Sequence, residues 1–335
     1  MTKIQHFKMY INGDWVESES GKIIETLNPE NNEVWATVPE ANKKDVDKAV
    51  KAAQNAFENS WAVLHPRDRA KYLRLLANEL RKNSEHLGTI ETIDTGKLFR
   101  ETKTQANYIA EYYDYFAGLA DKVEGTVVPI DKPDMQVTTT RIPIGVIAAI
   151  IPWNSQMLLT AVKLAPALAM GNTVVIKASE LAPVTLLEFA KLVEKSGIPK
   201  GVVNVITGLG EPCGKALTTH NLVERIAFTG GPETARHIVK NSAENLSQVS
   251  LELGGKSPVV VFNDAEQENA LNGITAGIFG ASGQSCIAGS RLYIQSSIYD
   301  EFLDKLVKKA EKIKLGAPMD KNTQMGPLNS FKQLE

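Results

Sequence analysis

Apolar positions along the chain change their spacing near residue 145, which separates two kinds of architecture. Before that point the stretch KMYINGDWVE alternates around Asn12-Gly13 and predicts a two-residue hairpin. Lys43–Ser60 places Val46, Ala49, Val50, Ala53 and Phe57 on one helical face. Pro66–Asn83 opens on a first-turn proline and stripes Leu73, Leu76, Ala77 and Leu80. A third helix is predicted through QANYIAEYYDYFAGLADK, and Gly125–Pro143, with its β-branched VTTTRI, reads as extended, hairpin-like chain.

From Gly145 onward short apolar runs alternate with helical patterns. VIAAII precedes a helix over Met157–Met170, TVVIK one over Pro183–Ser196, VVNVITG one from Pro212, and RIAFTG one over Glu233–Ala243. VSLELGG then leads into SPVVVF and a helix ending near Gly280. Continuous apolar strands separated by helices predict a parallel sheet covered on both faces, hence an α/β fold. The Gly pair at 254–255 interrupts this pattern and marks a domain boundary.

Composition narrows the functional classes. A formal net charge of −2 gives no electrostatic footprint for nucleic acid or an anionic membrane. The run IGVIAAIIP is too short to span a bilayer, and MTKIQHFKMYINGDW lacks the apolar core of a secretory signal. Two distant cysteines form no disulfide framework, which points to a thiol-keeping, cytoplasmic setting.

Five segments carry candidate chemistry. Cys286 lies among Gly283, Ser285, Ala288 and Gly289, small residues that admit a substrate carbonyl to the sulfur, or that merely form a packing seam. Cys213 is the weaker candidate. Glu252, in LELGGKSP, ends an apolar strand, where burial would raise its carboxyl toward neutrality and suit it to activating water; the plainer reading is a solvated strand end. Asn154, after the strand in IIPWNS, is an amide donor to an oxyanion or a simple helix cap. Lys177 and Glu180, in IKASE, stand at another strand's carboxyl end as ribose ligands or as turn residues. FTGGPETA brings a Gly pair into a helix N-terminus, as a phosphate site does, although no GxGxxG follows any strand.

Taken in order, PWN, K-x-x-E, FTGG, LELGGKSP and GQSC resemble the aldehyde dehydrogenase superfamily, and the likeness covers essentially the whole chain. The 34-residue step from Glu252 to Cys286 fits that family's base and nucleophile. The resemblance implies a Rossmann-like parallel-sheet cofactor domain (1–123 and 144–254), a β-arm for oligomerisation (124–143) and the first part of an α/β catalytic domain (255–335). It implies that Cys286 attacks the aldehyde to give a thiohemiacetal and then a thioester, that Asn154 and the Cys286 N–H hold the oxyanion, that Glu252 activates the hydrolytic water and that Lys163 relays protons. NAD, with NADP possible, would be held by Ile150, Pro152, Trp153, Lys177, Glu180, Gly210, Gly214, Phe228, Thr229, Gly230, Gly231 and Leu253. The substrate tunnel would comprise Tyr108, Ser155, Leu158, Leu159, Val162, Gly280, Ser285 and Ile287. The implied partners are a small aldehyde and further copies of the chain, as homodimer or homotetramer.

Departures from the family pattern shape these expectations. Ser155 stands where PWNFP has its aromatic, and Gly280 where relatives carry a bulky ring, which predicts a wider or more polar tunnel. FTGG replaces FTGS, so Gly231 lacks a pyrophosphate-contacting hydroxyl and Pro232 lacks an N–H. Relatives run on for roughly another domain's worth of chain, including a Glu-x-Phe-Gly-Pro segment, so the sequence reads as a fragment of an active enzyme. A shortened, catalytically silent homologue with a binding or structural role, and a CoA-acylating enzyme, are the alternatives.

Overall fold

The computed structural model describes residues 4–335. Three short strands open it: β1 (Gln5–His6), β2 (Met9–Ile11) and β3 (Asp14–Val16). The expected hairpin is β2–β3, with Tyr10 opposite Trp15. Its turn places Asn12 at φ 54° and Gly13 at φ 79°, both left-handed, as a tight two-residue connection requires. A second hairpin, β4 (Ile23–Asn28) with β5 (Glu33–Pro39), joins β1 in a separate three-stranded sheet. Periodicity misses it because the register shifts between Thr26 and Leu27, which breaks the alternation.

Helix α1 (Lys43–Ala56) starts at a capping box: the Asn42 side chain accepts from the N–H groups of Lys44 and Asp45, and Asp45 accepts from Asn42 N–H. It ends earlier than expected because Phe57–Trp61 widens into a π-turn that buries Trp61, whose indole N–H reaches Leu168 O at 3.1 Å. Helix α2 (Pro66–Lys82) follows with its first-turn proline. Helix α3 (Ser84–Thr95) was not expected, because its buried face carries Glu91, Thr92, Asp94 and Thr95 rather than an apolar stripe. Helix α4 begins at Phe99, ahead of the expected start, and runs Phe99–Leu119. The arm after it holds one small ladder, β6 (Val127–Val128) with β7 (Val137–Thr138), all four residues exposed.

The alternating region contains β8 (Val146–Ile150), α5 (Gln156–Ala169), β9 (Thr173–Lys177), α6 (Val184–Lys195) and β10 (Val203–Ile206). It continues with α7 (Lys215–Thr218), β11 (Val223–Gly230), α8 (Pro232–Ser242) and β12 (Gln248–Leu253). The helix expected from Pro212 begins only at Lys215, since Glu211 is extended (φ −127°, ψ 131°) inside a wide turn over Gly210–Gly214.

The seven-stranded sheet has the order β12-β11-β8-β9-β10-β2-β3. Its first five strands are parallel, and the antiparallel β2–β3 hairpin closes one edge, so the sheet is mixed rather than wholly parallel. One face is covered by α2, α4, α5 and α6 through Leu73, Tyr113, Leu164 and Phe189. The other is covered by α1, α7 and α8 through Val46, Val50, Leu217 and Ile238. Strand order runs outward from β8 in both directions, which opens a crevice at the carboxyl ends of β8 and β11.

Beyond β12, strands β13 (Pro258–Val261) and β14 (Arg291–Ile294) pair in parallel with each other. Helices α9 (Gln267–Phe279) and α10 (Tyr299–Ala310) lie against them over Val261, Leu271, Ile274 and Phe302. A last turn of helix, α11, spans Phe331–Leu334. Among the described residues no helix is long and apolar enough to cross a membrane.

Candidate active site

Sheet register brings four sequence-distant segments to one edge. Ile150 lies opposite both Lys177 and Phe228, Thr229 opposite Glu252, and Gly230 opposite Leu253. Adjacent strands lie about 4.8 Å apart, so these residues form a continuous row at the carboxyl ends. From Ile150 the chain passes through Pro152, Trp153 and Asn154, all half-buried, into α5.

The cysteine loop is built by a reversal after α9. Ala281, Ser282 and Gly283 are all left-handed, at φ 51°, 56° and 73°. Two of these are not glycine, and such strain persists only where surrounding contacts hold it. Ala281 N–H donates to Glu101 Oε1 at 3.3 Å, Ser282 Oγ to Gly326 O at 3.0 Å, and Asn329 N–H to Gln284 Oε1 at 2.9 Å. The Asn154 amide donates to Gln284 O at 2.8 Å. Asn154 and the loop are thereby locked together two residues before Cys286, leaving the second amide hydrogen of Asn154 to act on a ligand. Cys286 is exposed at the loop surface. Cys213 is wholly buried, and burial pushes its thiol up to about 11, so it is inert.

Lys163, on α5, donates from Nζ to Thr229 Oγ1. Burial lowers its ammonium to about 8, against the opposing pull of Glu252 and Cys286, which places all three groups within one electrostatic neighbourhood. Glu252 itself is exposed. Of the two settings considered for Glu252, the structure shows the solvated strand end, because β12 is the edge strand of the seven-stranded sheet, with only β11 beside it.

The expected cofactor positions fall at the carboxyl ends of β8, β9, β11 and β12 and in the turns that follow β8, β9, β10 and β11. Lys177 is buried, and its ammonium donates to Ala178 O at 2.9 Å and to Glu180 Oε2 at 3.4 Å, which holds the pair together. A side chain at Gly214 would reach the Lys177 stem at 3.8 Å, whereas Gly210 and Gly231 face open space. Gly231 is the N-cap of α8 with no side-chain cap, so the first N–H groups after Pro232 remain available to an anion. This cradle fits a dinucleotide phosphate despite the missing hydroxyl.

The expected tunnel residues separate into two cavities. Gly280, Ser285 and Ile287 line one of about 420 Å³ together with Val259, Gly277 and Gly289. Tyr108 and Leu158 line another of about 550 Å³ with Arg100, Glu101, Thr104 and Gln105. Leu159 and Val162 are half-buried and line neither. Ser155 does not stand as a vacated wall: its Oγ accepts from the buried Lys97 ammonium at 3.1 Å. Sequence reasoning missed Lys97, Glu101, Gln284 and Asn329, since nothing in DTGK or GPLN signals burial or a long-range partner.

A doubly covered, largely parallel sheet with a cysteine loop locked against its carboxyl edge defines a class of α/β proteins that combine a nucleotide-type crevice with an accessible thiol. Residues 15–335 match the model of the aldehyde dehydrogenase family. The chain belongs to that family. It is 55% identical over 333 residues to (Z)-2-((N-methylformamido)methylene)-5-hydroxybutyrolactone dehydrogenase of Acinetobacter baylyi, covering 99% of this chain and 68% of that protein. It is 42% identical over 323 residues to betaine aldehyde dehydrogenase of Bacillus subtilis, covering 96% and 66%. The NAD+ complex of an aldehyde dehydrogenase from Bacillus cereus superposes with a TM-score of 0.96 at 41% identity, covering 98% of this chain and 67% of that one. The chain thus spans about two thirds of the length of these relatives.

Proposed function

We propose that the chain carries the thiol and cofactor half-sites of an NAD-dependent aldehyde dehydrogenase that releases a carboxylate. The observation that carries this reading is the lock between Asn154 and the loop of exposed Cys286, on the same edge as Glu252 and Lys163. In this reading the sulfur of Cys286 adds to the aldehyde carbon, and the free amide hydrogen of Asn154, with Cys286 N–H, faces the developing oxyanion. NAD, which the Lys177–Glu180 pair and the N-terminus of α8 would hold, would supply the hydride acceptor, and Cys286 carries the acyl group as a thioester. Glu252, solvent-facing, takes a proton from the water that cleaves this thioester. Lys163, its ammonium lowered by burial to about 8, holds or gives a proton beside both groups. The test is NADH formation with a panel of simple aldehydes. A strong acceleration by CoA, or no NADH from the folded chain, would contradict the hydrolytic assignment.

Lysine 163 also leaves a signature in stability. Its folded form releases the proton near 8, below the ordinary 10.5, so the unfolded chain binds more protons between those values. Stability from this group therefore climbs as pH rises through that window, and the penalty is fully present below it. Lys163→Met is expected to raise Tm most below pH 8, with the gain fading toward pH 10.5. A gain independent of pH in thermal melts would contradict the assigned burial.

For the cofactor, the Lys177–Glu180 pair favours NAD, because Glu180 accepts from a free 2′-hydroxyl and repels a 2′-phosphate. Glu180→Gln should lower the NAD-over-NADP preference in kcat/KM about five-fold, the factor that roughly 1 kcal/mol of solvent-screened repulsion carries. We infer further that Gly254-Gly255 divides a cofactor unit from the catalytic unit and that residues 124–143 form an arm for homo-oligomerisation in the cytoplasm. The arm's exposed Val127, Val128, Ile130 and Ile142 support that role.

A further inference from the structure

A polar cluster lies beneath the PWNS turn, outside the residues that handle the thiol and the cofactor. Lys97 is 3% exposed. Its ammonium donates to Glu91 Oε1 at 3.3 Å, to Gln105 Oε1 at 3.1 Å and to Ser155 Oγ at 3.1 Å. Three donors meet three acceptors, so Lys97 is saturated, and the wholly buried Glu91 balances its charge. Lys97 therefore has no donor left for a ligand. Its effect is to orient its partners.

An ammonium can only donate, so Gln105 must turn its oxygen toward Lys97 and its Nε2 away. Gln105 lines the cavity of about 550 Å³ that Tyr108 and Leu158 share. Among the described residues Nε2 makes no hydrogen bond, which leaves two N–H donors for whatever enters. Ser155 is in the same position: its oxygen accepts from Lys97, so its hydroxyl hydrogen is free. It is the N-cap position of α5, directly after Asn154, and the shared Lys97 ammonium holds its hydroxyl close to Gln105 at the cavity's edge.

The charged groups of this cavity limit what it accepts. Arg100 is tied to Thr323 O at 2.6 Å. Glu101 reaches Ala281 N–H with one oxygen, and its other oxygen is buried without a partner. The wall thus offers oriented neutral donors beside one cation and one carboxylate, Arg100 and Glu101, whose charges offset, which suits a neutral acceptor.

We propose that Gln105 and Ser155, held by Lys97, read a neutral carbonyl oxygen of an ester, lactone or amide that the aldehyde substrate carries away from its reacting carbon. The proposal rests on the aldehyde-oxidising reading of Cys286. It assigns Gln105 and Ser155 to specificity and Lys97 to positioning.

The experiment compares kcat/KM for methyl 4-oxobutanoate and methyl 6-oxohexanoate with the matched alkanals heptanal and nonanal, and adds 4-oxobutanoate as the charged arm. At least one ester should exceed its alkanal about ten-fold, the factor carried by one or two net hydrogen bonds. Gln105→Leu and Ser155→Ala should each cut that ratio about three- to ten-fold, whereas Ser155→Thr should keep it. Lys97→Met should raise KM for the ester more than it lowers kcat. In an assay independent of turnover, the preferred ester should protect Cys286 from iodoacetamide at lower concentration than its alkanal. NADH from all aldehydes with no ester preference, or a ratio unmoved in Gln105→Leu, would overturn this proposal while leaving aldehyde oxidation standing. Preference for 4-oxobutanoate over the esters would overturn the neutral-acceptor assignment. No NADH from any aldehyde would overturn both readings.

Discussion

Cys286→Ala is expected to lower kcat/KM for every aldehyde by more than about a thousand-fold, because removing a covalent nucleophile leaves only binding and oxyanion stabilisation to act. The same substitution should leave Tm nearly unchanged. Cys286 is exposed and belongs to no buried cluster, and surface changes of this kind stay within about 0.5 kcal/mol. The loop is held by Gln284, Ser282 and Ala281, none of which uses the sulfur. Steady-state rates and thermal melts on the same preparation check both halves of the expectation. Loss of activity accompanied by a large fall in Tm would instead mark the thiol as structural.

Glu252→Gln should act on a different step. In the proposed mechanism the carboxylate activates water, so its amide should leave the attack on the aldehyde intact and stall the release of the acyl group. Rapid mixing should show a burst approaching one NADH per chain, followed by a steady rate about a hundred- to a thousand-fold below that of the unsubstituted chain. The lower bound follows from what a positioned general base commonly contributes. Equal losses in burst and steady rate would move Glu252 from deacylation to the first chemical step. Its exposure makes the substitution conformationally mild, since the register of β12 against β11 is set by backbone bonds.

How much of this was legible in the sequence follows from where information sits along the chain. The strands β8, β9 and β10 were legible because they are buried on both faces and read as short, largely apolar runs, whereas β11 carries exposed Glu224 and showed only through its Ile226–Phe228 stretch. The β2–β3 turn was legible because Asn12-Gly13 is the chemistry that left-handed backbone demands. Helix α3 was hidden for the opposite reason: beside Leu87 its buried face carries Glu91, Thr92, Asp94 and Thr95, and no hydrophobic period marks a buried polar face whose anchors lie elsewhere in the chain. Asp94 illustrates this, accepting from Thr185 N–H and Oγ1 at 3.0 Å across 91 positions of sequence.

The candidate site divides in the same way. The pairing of Thr229 with Glu252 follows from parallel strands in sequence order. The lock of Asn154 onto Gln284, and the seat of Ser155 on Lys97, arise from contacts 130 and 58 positions apart that no local pattern encodes. Ser155 read alone suggested a missing wall. Joined to Lys97 and Gln105 it is, in the reading proposed above, one of two oriented donors.

Intact-protein and peptide mass spectrometry of Glu252→Gln, quenched in acid during the NADH burst, tests the central claim most directly. The account predicts one acyl group per chain, a mass increase equal to the aldehyde less two hydrogens, carried on the peptide containing Cys286 and absent from the Cys286→Ala, Glu252→Gln double variant. NADH formation without an adduct on that peptide, or with the acyl group on Cys213, would contradict it.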